Sequence, residues 1–501
     1  MNDVQSVAAL QEAPSGTASR DIDAAPLVRL DQRFLLLTIF ATLFLSWPLM
    51  VFGRPSYIQD SAAYYKGGRA AVEYASEKIR SLQGLTTAKS VALGAAAKVT
   101  PEATEGEIKG ARSVTYSVAA YALSAPGITL LLLAFAQTAA AAAIIVTAIG
   151  AFGGLPARRT TVGLLALAVS TTVAPVCFLV IPDIFSGLLI ACLVLLTTVQ
   201  SRLSLGARLL TVAIAAFAVT AHASGIPIAV GLTGLGLGWI AIRHFRDLPQ
   251  PRWTWLWVIA PLLAAGLTLL AINRVAFGET SLTAKRYPFA LSRSINNGPG
   301  RWYLEKHCPE LKYTICTVYP HGLPKGGAIQ FLWGPDGVTR RATPAQMDRI
   351  RAEEAEIVLA AGREYAAFEL RRLADRFGQQ LIQFRPYPFA ERMTLDPSGV
   401  PQLVPATNTN DGILRFIYIL SAISTAIGTA WLAWAFAKTP SFRPTILLLF
   451  LGILGNAATC VLFAAMAPRY EARVIWLIPL FALALSAANR ERASDGARAV
   501  G

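Results

Sequence analysis

The sequence predicts an all-α polytopic membrane protein of about ten transmembrane helices, with an α+β extracytoplasmic domain set between spans 7 and 8. Three observations carry this reading. The 501 residues are 54% apolar and only 15% charged, where soluble globular chains average about a quarter charged. Mean hydropathy is +0.48. Several apolar runs exceed the ~18 residues that mark a membrane helix, and inside lipid a helix satisfies its backbone polar groups within its own segment. The net charge of +15 and pI near 9.8 do not point to nucleic acid. The arginines gather in short loops between apolar runs, the distribution of cytoplasmic loops.

Residues 1–33 are mostly polar and alanine-rich, without the apolar stretch of a signal peptide, and predict a disordered cytoplasmic tail. Residues 34–272 form a membrane domain with spans 1–7. Span 1 covers 34–52, preceded by Arg29 and Arg33. The first external loop, 53–125, holds two amphipathic stretches, 60–82 and 113–123, the second with Tyr116 and Tyr121 at headgroup level. Span 2 (126–152) ends at the basic turn of Arg158 and Arg159, and span 3 (162–181) at the short Pro182-Asp183 turn. Span 4 (184–199) leads to Arg202 and Arg208, and span 5 (209–221) to the His222-Ala-Ser-Gly225 turn. Span 6 (226–242) carries Gly231, Gly234, Gly236 and Gly238, which permit close helix packing. Span 7 (253–272) opens on Trp253, Trp255 and Trp257, an aromatic belt.

Residues 273–411 contain no membrane-length apolar run, and strict alternation places them outside. Thr343 as N-cap and Pro344 at the first helical position start a strong helix there. Its amphipathic continuation, 365–384, suits a membrane surface. Residues 412–488 hold spans 8 (412–436), 9 (445–466) and 10 (474–488), and residues 489–501 are a second cytoplasmic tail. Both termini therefore lie on the cytoplasmic side of a plasma (inner) membrane. Cys308 and Cys316 lie in the polar segment and read as a disulfide in an oxidising compartment. Their spacing, with His307 and His321 nearby, fits no regular zinc pattern.

The turn from Ala467 to Arg473 breaks the charge rule, putting Arg469, Glu471 and Arg473 outside. It joins Asp60, Asp183 and His222 on that side. An aspartate can take a proton from an acceptor hydroxyl. Arginine grips phosphate oxygens in a fork and stabilises a leaving group. Asp60 is thus the candidate base, flanked by Tyr57, Tyr64 and Arg69 as cleft-lining residues with Asp183 and His222. Arg469, Tyr470 and Arg473 are candidates for holding a lipid phosphate. Each has a plainer reading: Asp183 as the N-cap of span 4, His222 as a helix end, Arg469 as a headgroup anchor, Glu471 as a local partner of Arg473.

The layout resembles the polytopic glycosyltransferases of the GT-C superfamily, of the protein O-mannosyltransferase and aminoarabinose transferase type. The residues that carry it are Asp60 just after span 1, the amphipathic stretches of the first loop, the Pro182-Asp183 turn, and Arg469-Tyr470 before span 10. The resemblance implies an enzyme moving a sugar from a polyprenyl-phosphate donor to an envelope glycan, lipid or protein acceptor. Many relatives carry adjacent acids; here Asp60 precedes Ser61 and Asp183 precedes Ile184, which leaves a divalent cation open. The alternative is a transporter, a flippase or a scaffold with a partner-binding external domain. The near absence of mid-span charge counts against transport.

Overall fold

The computed structural model describes residues 27–82, 112–124, 129–154, 157–248, 251, 253–277, 280–282, 287–397, 400–407, 409–464 and 466–500. Most of the tail predicted over 1–33, the loop residues 83–111 and the predicted start of span 2 lie outside them.

The apolar runs fold as helices. In order these are α1 (Gln32–Leu45), α2 (Trp47–Phe52), α3 (Gln59–Leu82), α4 (Val114–Ala122), α5 (Leu131–Gly153), α6 (Ala157–Ser170), α7 (Val173–Cys177), α8 (Asp183–Thr198), α9 (Leu205–Ala221), α10 (Gly225–Phe245) and α11 (Thr254–Phe277). Among the described residues, seven helical stretches are long and apolar enough to cross a membrane: Gln32–Phe52, Leu131–Gly153, Gly225–Phe245, Thr254–Val275, Asp411–Lys438, Pro440–Phe463 and Arg469–Asn489. The protein is an integral, all-α membrane protein in its body. The remaining three predicted spans are shorter. Span 3 is broken into α6 and α7 at Thr171-Thr172, where the Thr171 hydroxyl donates to the Leu167 carbonyl and accepts the Val173 amide. Spans 4 and 5 are α8 and α9. Helix α8 is buried along nearly its whole length. Its neighbours α9, α10, α20 (Arg443–Phe463) and α21 (Arg469–Ile475) enclose it, so lipid thickness does not set its length.

The predicted packing role of the α10 glycines holds for one of the four. Gly236 lies where a Cβ would sit 2.9 Å from the Thr197 hydroxyl, while Gly231, Gly234 and Gly238 face open space.

The stretch after α11 is mainly helical: α12 (Phe289–Asn297), α13 (Pro299–His307), α14 (Thr314–Val318), α15 (Ala328–Trp333), α16 (Val338–Arg341), α17 (Pro344–Glu364) and α18 (Ala366–Ile382). One antiparallel hairpin follows, β1 (Glu391–Leu395) on β2 (Pro401–Pro405), with Met393 opposite Leu403. Residues 287–365 have a core of their own around Leu291, Ile295, Phe331, Ile350 and Ile357. Helix α17 starts as the sequence indicates: Thr343 accepts the Gln346 amide and Gln346 caps back onto the Thr343 amide. It runs through Gly362 and breaks at Tyr365. A disulfide joins Cys308 to Cys316.

Helices α19 (Asp411–Lys438), α20 (Arg443–Phe463), α21 (Arg469–Ile475) and α22 (Leu477–Val500) complete the chain. The inserted segment is tied to the membrane body near the exit of α2. Phe389 stacks on Phe52 with ring centroids 3.9 Å apart. Arg54 donates to the Phe389 carbonyl at 2.6 Å, and the Ser56 hydroxyl donates to the Pro388 carbonyl at 2.9 Å. Ser56 also exchanges backbone hydrogen bonds with Phe178 and Val180. Helix α18 lies against α20 and α21, and Gln380 donates to the Ala467 carbonyl.

Candidate functional site

Asp60 sits in the first turn of α3. The turn is set locally: the Ser61 hydroxyl accepts the Ile58 amide at 3.1 Å, and Tyr57 is buried with its hydroxyl on the Thr129 carbonyl. Helix α4 crosses α3 closely, because Gly68 offers no side chain at the contact. A Cβ there would stand 1.9 Å from the Ser117 carbonyl oxygen. Ser113 caps α4 by accepting the Tyr116 amide, and its hydroxyl donates to the Thr220 carbonyl at the end of α9. These contacts fix the Asp60 turn beside the ends of α8 and α9.

The Asp60 carboxylate pairs with Arg112 at 2.8 Å, both side chains about a third exposed. Tyr64, one helical turn on, shares its face. The Tyr64 ring is buried edge-on to Tyr116 at 4.8 Å, with the Arg112 guanidinium 5.7 Å above it. Burial raises the Tyr64 phenol well above its ordinary pKa, and the Asp60 charge adds to this, so the ring remains neutral. Tyr64 also feels the charges of Asp183 and Arg469.

The second cluster centres on Asp183. It occupies the first position of α8, with Pro182 as the cap residue. Its carboxylate does not cap the helix. It meets Arg469 and Arg473, each at 3.3 Å. Arg473 is wholly buried and further donates to Asn456 Oδ1 at 2.8 and 3.0 Å, to the Ser224 hydroxyl at 3.1 Å and to Cys460 Sγ at 3.2 Å. His222 Nδ1 accepts from the Ser224 amide and, at 2.7 Å, from the Ser224 hydroxyl. Its proton therefore rests on Nε2, which faces Asp183 at 3.9 Å. Burial first, then the Arg473 charge, lowers the His222 pKa to about 3, so the ring is neutral. Glu471 lies within electrostatic range of Arg473, as the sequence suggests, but makes no direct hydrogen bond to it. It is fully buried, with one oxygen 3.4 Å from Asn456 Nδ2 and the other without a hydrogen-bond partner.

Arg469 bridges the clusters. It is the guanidinium of the Asp183 pair that reaches solvent, at 17% exposure against none for Arg473. It lies over the Tyr470 ring at 4.8 Å and within electrostatic range of Asp60. Tyr387, from the inserted segment, lies within range of both Asp60 and Arg469.

No family model, curated protein or solved structure matches the chain.

The structure thus gathers Asp60, Tyr64, Asp183, His222, Arg469, Tyr470 and Arg473 at one end of the helical body. It does not gather Tyr57 and Arg69. Tyr57 is spent on the Thr129 carbonyl. Arg69 stands nine residues after Asp60, about half a turn out of phase on an α-helix, and pairs with Glu73 at 2.8 Å in the open. Sequence reasoning missed Arg112, Asn456 and Tyr387. Asn456 carried a signal, a lone amide inside an apolar span; Arg112 and Tyr387 carried none. A resident divalent cation does not fit this donor set. Asp60 is engaged by Arg112 and Asp183 by two guanidiniums, and among the described residues no three His, Cys, Asp or Glu stand together.

Proposed function

We propose that the chain is a GT-C-type membrane glycosyltransferase. It takes a sugar from a polyprenyl-phosphate donor at the extracytoplasmic face of the plasma (inner) membrane and passes it to an envelope glycan, lipid or protein. Both termini are then cytoplasmic. The observation that carries the reading is that Asp60 and Arg469, more than four hundred residues apart in the chain, lie within electrostatic range of each other and both act on buried Tyr64. A base and a phosphate-binding cation brought together at one end of the helical body suit transfer between a hydroxyl and a lipid phosphate.

In this reading Asp60 accepts the proton of the acceptor hydroxyl. The freed oxygen bonds to the anomeric carbon as the bond from that carbon to the phosphate oxygen breaks. The electron pair leaves on the lipid phosphate, where the Arg469 guanidinium, with Tyr470 beside it, stabilises the charge. Arg473 and Asp183 act on Arg469 rather than on the sugar: the Asp183 carboxylate orients the exposed guanidinium, and buried Arg473 holds the carboxylate. Tyr387, from the inserted segment, lies within electrostatic range of both Asp60 and Arg469 and would stand beside the bound acceptor.

The test is consumption of polyprenyl-phosphate sugars from a lipid extract by the purified protein in lipid discs, followed by mass spectrometry. Wild type depletes at least one such species and releases polyprenyl phosphate; Asp60→Asn does not. Equal depletion by Asp60→Asn would end the assignment.

A further inference from the structure

At the end of α5 remote from Gln137, which hydrogen-bonds Tyr116 in the site region, the structure has an open cavity. Gly153 is sixteen residues beyond Gln137, about 24 Å along the helix at 1.5 Å per residue. A cavity of about 450 Å³ opens there between α5, α6 and α22, within the size range of ligand sites.

Its walls and its mouth differ in character. Ile149, Ala166 and Leu483 make an apolar wall between membrane helices. Arg158, Arg159 and Thr160 line the mouth, in the first turn of α6. Both arginines are exposed, and neither has an acidic partner among the described residues. Thr160 is 2% exposed, yet its hydroxyl has no hydrogen-bond partner. An unsatisfied buried hydroxyl is costly unless something completes it. The start of a helix presents free amides and the positive end of its dipole, which favours an anion. Apolar wall, two unpaired cations and one unsatisfied hydroxyl belong together if the occupant has an acyl chain and a phosphate.

We propose that this cavity binds an anionic phospholipid, with an acyl chain along Ile149, Ala166 and Leu483 and the headgroup phosphate on Arg158, Arg159 and the Thr160 hydroxyl. Long cationic side chains at a span end reach headgroups readily, and basic pockets between membrane helices recognise anionic lipid heads. The occupant is a bilayer lipid rather than a free anion, because the cavity opens between spans and most of its wall is apolar. The site is separate from the Asp60 cluster and does not depend on the reading given to it.

The experiment is native mass spectrometry of the full chain released from discs of mixed phosphatidylglycerol and phosphatidylcholine. Wild type is expected to retain phosphatidylglycerol over phosphatidylcholine by about thirtyfold, the scale of two arginine–headgroup contacts. Arg158→Ala/Arg159→Ala removes the preference, and Ala166→Phe, which fills the apolar part and keeps both charges, lowers retention of either lipid. Millimolar inorganic phosphate leaves the bound lipid in place. Absence of a headgroup preference in wild type overturns the proposal without recourse to any variant. So does an unchanged preference in the doubly substituted protein, checked as monodisperse, or displacement of the lipid by phosphate, which would mark a free-anion site.

Discussion

Arg473 and Asp183 meet at 3.3 Å with neither side chain reaching solvent beyond 1%. A pair so placed gains little from its own attraction once desolvation is counted, but removing one member strands the other. Asp183→Asn leaves Arg473 and much of Arg469 facing each other without their counter-ion, and should cost about 3–5 kcal/mol. Arg112→Gln breaks an equally real pair that is a third exposed, and should cost about 1 kcal/mol or less. Thermal melts of the two variants in the same detergent check this; equal losses would show that burial does not separate the two pairs.

Asp60→Asn should reduce transfer by about 10²–10⁴-fold, the range for losing a general base, while its melting temperature stays within a degree or two of wild type, because its ion pair is a surface one. Rates and melts on one preparation decide it.

The crossing of α3 and α4 can be tested by neighbouring residues. Gly68→Ala drives a methyl into the Ser117 carbonyl, whereas a Cβ at Gly67 meets the Ser117 hydroxyl at an ordinary 3.4 Å. Gly68→Ala should destabilise by about 1–3 kcal/mol and displace the Asp60 turn, with transfer reduced. Gly67→Ala should be close to neutral. Reversed ranking in melts and assays would place the crossing elsewhere.

His222 gives a pH dependence. Its folded pKa, about 3, lies below the ~6.5 of an exposed histidine. The unfolded chain therefore binds more protons between these values, and stability falls as pH drops through that window. The loss is at most a few kcal/mol by linkage, reduced because a quarter of the side chain meets solvent. Melting temperature against pH should fall below about pH 6.5 in wild type and flatten there in His222→Asn.

Much of the architecture was legible because hydrophobic length and loop charge act along the chain. Seven predicted spans recur as full-length helices, and the α17 start was readable to the residue. Asp60 and Arg469 stood out for local reasons, an acid at a span exit and arginines on the wrong side of the membrane. What could not be read is set by tertiary contact. Asp183 has every local mark of a helix cap, and only the return of α21, 286 residues on at Arg469, gives its carboxylate to arginine. Arg69 looked like a site residue until helical phase turned it to Glu73. Tyr387 had no pattern to betray it, since its role comes from where a non-helical segment crosses the body.

The ties of Arg54 and Ser56 to Pro388 and Phe389 bear on how the protein is made. The exit of α2 leaves the ribosome well before its partners, which are translated more than three hundred residues later. Until then the Asp60 turn has no finished support on that flank. Biogenesis must hold the opening helices in a provisional arrangement, and chains truncated before residue 388 should insert without acquiring a settled active end.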